Sequence, residues 1–254
     1  LHSYTVAQWE GQWLFLGGRT NGLHGMMGQG AFPAAYANTD VWVVDLAGQR
    51  SWHRSLNDSG LATATVDFLS ATNHNFVQDD NRLYFAGGYG FDRAAADFVT
   101  FSNFASIDVP GLMAWVKQSP GSPAAAAVVR TIQSPLFQVT GGALEKTGDH
   151  FLLIFGQNYP GRYRPMFNGT YTRQVRRFSL LGDPADPVLD PASVIQSPPA
   201  DDYRRRDLNV LPVLRRAPSS GQLAEEFLAL AGVFTATGGV WTVPVTITSP
   251  GVPT

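Results

Sequence analysis

The chain has 254 residues, with 44% apolar and 15% charged side chains and a formal net charge of −2. This composition supplies a sizeable core and excludes both a disordered chain and an overall electrostatic pull toward nucleic acid or anionic membrane. No stretch reaches the roughly 18 uninterrupted apolar residues of a membrane helix, and the absence of cysteine removes disulfides, thiolate metal sites and a cysteine nucleophile.

With 26 glycines, 17 prolines and 12% aromatics, the chain favours many short strands joined by turns. Ser3–Gln8 reads as a strand, Glu10-Gly11 as a turn, and Trp13–Leu16 as an apolar strand closed by Gly17-Gly18. A third strand follows at Val41–Leu46, and Trp52 marks a fourth. The order then returns as Asn73–Gln78, the turn Asp79–Asn81, Leu83–Ala86 with Gly87-Gly88, and Phe104–Val109. Trp115 is expected on the fourth strand of this set, because it follows Asp108 by the step that separates Trp52 from Asp45. A third set runs through Gln138–Glu145, Leu152–Phe155 with Gly156, and Gln174–Leu180. A fourth runs through Asp207–Leu214, Phe227–Ala231 with Gly232, and Trp241–Ile247.

The closing glycines at 18, 88, 156 and 232 recur at intervals of 70, 68 and 76 residues. A four-stranded meander repeated at a near-constant period predicts an all-β fold, a β-propeller of four-stranded antiparallel blades. The blades would cover 1–56, 71–117, 136–196 and 204–254. The second strand of each is apolar on both faces, as expected when blades pack on either side. Its closing glycine would permit positive φ and let the backbone pass close to an aromatic side chain of the neighbouring blade.

The apolar run, the Gly-Gly pair, the third strand and a Trp some thirty residues on resemble the Kelch repeat. More specifically, Gly18-Arg19-Thr20-Asn21-Gly22-Leu23-His24, Gly87-Gly88-Tyr89-Gly90, Phe155-Gly156-Gln157 and Arg205-Arg206-Asp207-Leu208-Asn209 resemble motifs of exported or surface Kelch-like proteins of Bacteroidetes, of the type IX secretion cargo kind. The third and fourth sets depart from the pattern, since Phe155 and Ala231 replace the first glycine. The resemblance implies an extracellular, cell-surface or periplasmic location and a ring of six or seven blades. Four sets then form an incomplete part of a larger ring, with the remaining blades expected beyond residue 254 or in another chain.

In such a meander the short first–second and third–fourth turns share one end, and the long connections exit the other. These connections are Arg19–Asp40, Tyr89–Asn103, Gln157–Arg173, Arg54–Thr72, Lys117–Leu136 and Leu181–Arg204. Loops carry binding function when a rigid scaffold presents them. The candidate ligand-binding residues on that face are Arg19, Asn21, His24, Tyr89, Gln157, Asn158 and Tyr159, joined by Arg206 and Asp207. Each could equally hydrogen-bond loop backbone. Arg204-Arg205-Arg206-Asp207 either lines a channel for an anion or holds an internal Arg–Asp pair. Arg173, Arg176 and Arg177 read as a solvated strand face, and His74 and His150 as neighbours of the short turns.

No metal and no cofactor is expected. The histidines lack metal-ligand spacing, Asp183–Pro191 lacks the glycine and closing Glu of a calcium loop, and Gly28-Gln29-Gly30 lacks the third glycine of a dinucleotide fingerprint. Asn168-Gly169-Thr170 matches a glycosylation sequon, which carries no meaning in a bacterial protein. Nucleophile-elbow, P-loop and His-Glu-x-x-His motifs are missing, as are the Asp-box turns of sialidases. Galactose oxidase, a Kelch-type enzyme, implies a Cys–Tyr crosslink that this chain cannot build. The reading is a non-catalytic binding module presenting long loops to a glycan or protein partner. The alternatives are a structural subunit of a cell-envelope assembly and a lyase or epimerase using Tyr89 and His24 as acid and base.

Overall fold

The computed structural model describes residues 1–22, 25, 31–164, 167, 169–216 and 221–254. The fold is all-β, built from successive antiparallel sheets. Sheet 1 is the meander β1 (Thr5–Trp9), β2 (Gln12–Leu16), β3 (Asp40–Asp45) and β4 (Arg50–Ser55). The helix α1 (Thr63–Leu69) leads to sheet 2. Sheet 2 begins with β5 (Asn75–Asp79) and β6 (Arg82–Ala86), which are followed by a separate hairpin, β7 (Tyr89–Asp92) and β8 (Asp97–Thr100). It continues with β9 (Asn103–Asp108), the helices α2 (Val109–Lys117) and α3 (Ala125–Val128), and finally β10 (Val129–Gln133).

Sheet 3 holds β11 (Ala143–Thr147) and β12 (His150–Ile154). The small pair β13 (Gln157–Asn158) and β14 (Thr170–Tyr171) precedes β15 (Val175–Leu181), whose outer edge is covered by β16 (Val188–Leu189) and β17 (Ile195–Gln196). Sheet 4 has three strands among the described residues, β18 (Val210–Arg216), β19 (Leu223–Ala229) and β20 (Val245–Thr248). No helix among the described residues is long and apolar enough to cross a membrane.

The sheets pack face to face in sequence order, and the second strand of each explains how. On β6, Leu83 and Phe85 face sheet 1 and join Leu14, Leu16, Val41 and Val43 in one core. Tyr84 and Ala86 point the other way, toward Phe151, Leu153 and Phe178 of sheet 3. β12 repeats the alternation, with Leu152 and Ile154 packing on Phe227, Ala229, Val245 and Ile247 of sheet 4. A strand buried on both faces must be continuously apolar, and these runs are.

Sheet 2 departs from the sequence expectation. Trp115 lies on α2, not on a fourth strand, and the sheet extends to Gln133 rather than ending near 117. Pro110 sits at the start of this helix, where its missing N–H costs nothing. Val109, Leu112, Met113 and Val116 fall at helical spacing and bury against sheet 1. The third–fourth connection of sheet 2 is therefore long and lies at the short-turn end, where Val109 N donates to Asn81 O at 2.9 Å. Not every long connection exits the same end, as had been expected. Helices do lie between the glycine-closed strands, but they fill connections and leave β2, β6, β12 and β19 intact.

Three further expectations change. Of the four closing glycines only Gly88 meets an aromatic ring, with an added Cβ 2.5 Å from the ring of His74. On Gly18 it would stand 2.5 Å from His2 O, on Gly156 2.6 Å from Val139 Cγ1 and on Gly232 2.9 Å from Arg205 Cβ. Arg176 and Arg177 are not solvated. Arg176 donates to Leu136 O at 2.7 Å, with burial pushing its pKa down, and Arg177 meets His150. His74 is not at a short turn but fully enclosed between sheets 1 and 2, beside Gly88.

Between sheets 3 and 4, burial and the charge of Glu225 push Glu145 up from 4.5 to about 7. Its folded-state pKa lies above the unfolded value, so folding takes up a proton and stability falls as pH rises between about 4.5 and 7. Glu145→Gln should therefore raise stability at pH 8 by roughly 1–2 kcal/mol, after discounting for partial exposure. Urea titrations at pH 5 and pH 8 check this. A variant no more stable than the parent at pH 8 contradicts it.

Candidate functional site

Each closing glycine is followed by a residue that pairs with the chain just ahead of its own first strand. The four antiparallel bridges are His2↔Arg19, Thr72↔Tyr89, Thr140↔Gln157 and Arg206↔Val233. The next residues, Ser3, Asn73, Gly141 and Asp207, all adopt positive φ, between 49° and 68°. They form a stepped series across the sheets, in which Asn73 N donates to Ser3 O at 3.0 Å, Gly141 N to Asn73 O at 3.3 Å and Asp207 N to Gly141 O at 2.6 Å. The hydroxyls of Thr72 and Thr140 repeat the step, donating to Ser3 O and Asn73 O, each at 3.1 Å. Four equivalent turns are thereby held side by side.

These turns floor a cavity of about 90 Å³, to which Arg206, Asp207, His2 and Gln157 contribute polar groups. Arg206 Nε lies 3.6 Å from Asp207 Oδ2, with the Arg206 side chain 13% and the Asp207 side chain 48% exposed. The Arg206 guanidinium also sits 5.0 Å from the Phe234 ring centroid. Of the two readings of Arg204–Asp207, the internal ion pair is thus present. Arg205 is fully buried, donates to Val243 O and Asp202 O at 2.7 and 2.8 Å, and stands over Trp241, which makes it a structural anchor. Arg204 stacks on Tyr171 and donates to Thr235 O.

The walls are aromatic. Tyr89 and Tyr159 meet edge to face at 5.5 Å, Tyr159 and Tyr163 stack at 5.6 Å, and Phe32 contacts Tyr89 at 5.1 Å. The loop backbone holds these rings in place. Tyr89 Oη donates to Gly161 O at 2.9 Å, and Arg164 N donates to Tyr159 Oη, also at 2.9 Å. Thr100 Oγ1 accepts from Tyr159 N and donates to Tyr159 O. Burial pushes both phenol pKa values up. A hydroxyl committed to a carbonyl and disfavoured as phenolate is unsuited to the acid–base role considered for Tyr89.

Of the nine candidate residues, Tyr89, Gln157, Tyr159, Arg206 and Asp207 line this cavity. Arg19 and Asn21 do not. Arg19 donates to Asn21 Oδ1 and Pro33 O at 3.2 Å and covers the Phe32 ring at 4.0 Å, so it pins its loop, and burial lowers its pKa. Asn158 pairs with Thr170 in the β13–β14 ladder. His24 lies outside the described residues, as do Asn168 and Gly28-Gln29-Gly30. The floor residues His2, Ser3, Asn73, Thr140 and Gly141 and the wall residues Phe32 and Tyr163 were missed. A signal for the floor residues was available, because His2, Thr72 and Thr140 recur at 70 and 68 residues, in step with the first three glycines, although the interval to Arg206 is 66 where that of the glycines is 76.

No family model matches the chain, and no curated protein matches it. Among solved structures, the chain is similar to one titled "Structure of YjhT", at 13% identity and a TM-score of 0.45, over 99% of this chain and 83% of that one. Similarity at this level transfers no property.

Proposed function

We propose that the four sheets are successive blades of a Kelch-like β-propeller, and that the chain is a non-catalytic, exported binding module that holds a neutral glycan at the cavity where the four turns meet. The propeller reading is supported by the repeated step from one turn to the next, since turns of the same left-handed backbone conformation joined in each case by the same backbone N–H to C=O bond fit a common rotation. The glycan reading rests chiefly on one observation: a paired guanidinium and carboxylate on the floor of an aromatic-walled cavity.

The pair offers donors and acceptors together with no net charge, which suits adjacent sugar hydroxyls better than an anion. The tyrosine and phenylalanine rings suit the apolar C–H face of a sugar ring. The volume admits one edge of a ring rather than a whole residue, so most of the glycan would lie on the surrounding loops.

The test is a glycan array with the intact chain, followed by titration of bound neutral oligosaccharides. Arg206→Gln and Asp207→Asn should each weaken binding at least tenfold, because a charge-assisted hydrogen bond is worth about 1.5–3 kcal/mol. Arg50→Ala, which removes a surface ion pair to Asp45 on sheet 1, should leave binding unchanged. Equal affinity across all three variants, or binding of anionic glycans alone, removes the reading.

A further inference from the structure

The walls of the cavity continue beyond it. Phe32 and Tyr89 also line a narrow neck of about 10 Å³. Ala34, Ala37, Ser70 and Phe91 of that neck in turn line an outer hollow of about 190 Å³. Three spaces that share walls make one groove, leading from the turns out over the connections of sheets 1 and 2. Val66, which lines the hollow, belongs to the core that these two sheets share, so the groove lies over a seam formed within the chain.

The outer hollow repeats the chemistry of the cavity floor. Asp67, on α1, lines it with a side chain that is only 7% exposed. Asp67 Oδ1 accepts from Arg93 Nε at 2.6 Å and Oδ2 accepts from Arg93 N at 3.0 Å. One carboxylate thus grips the arginine by side chain and backbone together. Asp92 Oδ1 holds the same turn by accepting from Ala94 N at 2.8 Å. The Arg93 side chain is 46% exposed, its Nη2 reaches only Thr63 O, at 3.4 Å, and its Nη1 makes no hydrogen bond among the described residues. The pair carries no net charge, keeps donors and acceptor positions to spare, and is oriented before any ligand arrives. Phe91 supplies an aromatic ring to the same hollow. A neutralised Arg–Asp pair with an aromatic neighbour therefore stands at each end of the groove.

We infer that the glycan is a neutral chain of several sugar units, with one end at Arg206 and Asp207 and later units reaching Asp67 and Arg93. This deepens the proposed function and rests on it. The neck has room for about one water-sized group, which suits a linkage between rings better than a ring. Phe32, Tyr89 and Phe91 then face the apolar C–H surfaces of the units on either side.

Titration of the intact chain with the two- to six-unit members of the cello-, xylo-, manno- and malto-oligosaccharide series tests this. In a series that binds, affinity should rise at least tenfold from the two-unit to the six-unit sugar. Arg93→Gln should cut that gain to below twofold. Ala34→Trp should do the same with the Arg93–Asp67 pair intact, because Ala34 is exposed and lines both neck and hollow. Both substitutions are at the surface, and each variant should keep the thermal midpoint of the parent. Arg206→Gln should weaken every length and preserve the gain. Affinity independent of length, with Arg206→Gln still weakening it, overturns the groove and leaves the cavity reading standing. A gain that survives both Arg93→Gln and Ala34→Trp overturns it as well. If none of these neutral sugars binds, the groove falls, and the array decides separately whether the cavity reading falls with it.

Discussion

Gly87→Ala should cost about 3–5 kcal/mol, enough to abolish most of the stability of an ordinary domain. Gly87 holds φ +66°, which costs an L side chain roughly 1–2 kcal/mol, and a Cβ there would overlap the carbonyl oxygen of Val139. That carbonyl belongs to the turn before sheet 3 and accepts from Gly88 N at 3.0 Å and from Asn75 Nδ2 at 2.9 Å. Relieving the overlap would therefore break the seam between sheets 2 and 3. Gly148→Ala is the matched comparison, since its φ is +53° and nothing lies within 4 Å of the added atom. It should cost only the conformational penalty, about 1 kcal/mol. Urea unfolding of both variants decides the matter, and equal losses would mean that the close approach to Val139 is not what selects glycine.

Acid should destabilise the chain through His74, and removing this histidine should reverse the pH dependence of what stability remains. Its Nε2–H donates to Phe68 O at 2.9 Å and Nδ1 accepts from Thr5 Oγ1 at 3.0 Å, so the neutral ring joins sheet 1 to α1 and sheet 2. Complete burial pushes its pKa from 6.5 down to about 4. The folded pKa lies below the unfolded one, so the unfolded chain binds the extra proton. Stability is then full above pH 6.5 and falls as pH drops toward 4, by about 3 kcal/mol at the lower end. Glu145 acts in the opposite sense over nearly the same window, and the wild-type profile between pH 5 and 7 should be flatter than that of either single variant. His74→Gln should lose stability as pH rises through this range, and Glu145→Gln should gain it. Parallel profiles for the two variants would contradict the opposing assignments.

Strands β1, β2, β5, β6, β11 and β12 follow from alternation, turn residues and closing glycines, all of which act over a few residues. Packing on both faces was also readable, because only a strand with neighbours on each side needs Phe151-Leu152-Leu153-Ile154 in unbroken succession. Sheet 2 was misread where two local signals conflicted. The Asp108–Trp115 spacing copied sheet 1, while Val109, Leu112, Met113 and Val116 carried a helical period that Pro110 could initiate. The helix prevails because that stripe buries against sheet 1, a partner far away in the sequence.

The candidate site divides in the same way. Tyr89, Gln157 and Tyr159 could be found because they follow a recognisable glycine, and Arg206 and Asp207 because they precede a strand. That Arg19 serves its own loop while His2, Asn73 and Thr140 complete the cavity floor depends on side chains and backbone amides meeting across 66 to 70 residues of chain. Short-range pattern dictates where strands and tight turns form, since φ, side-chain alternation and glycine tolerance are properties of neighbouring residues. Which polar groups share a cavity, and which buried histidine or glutamate loses its usual pKa, depends on the stacking of whole sheets, because desolvation and hydrogen bonding follow distance in space.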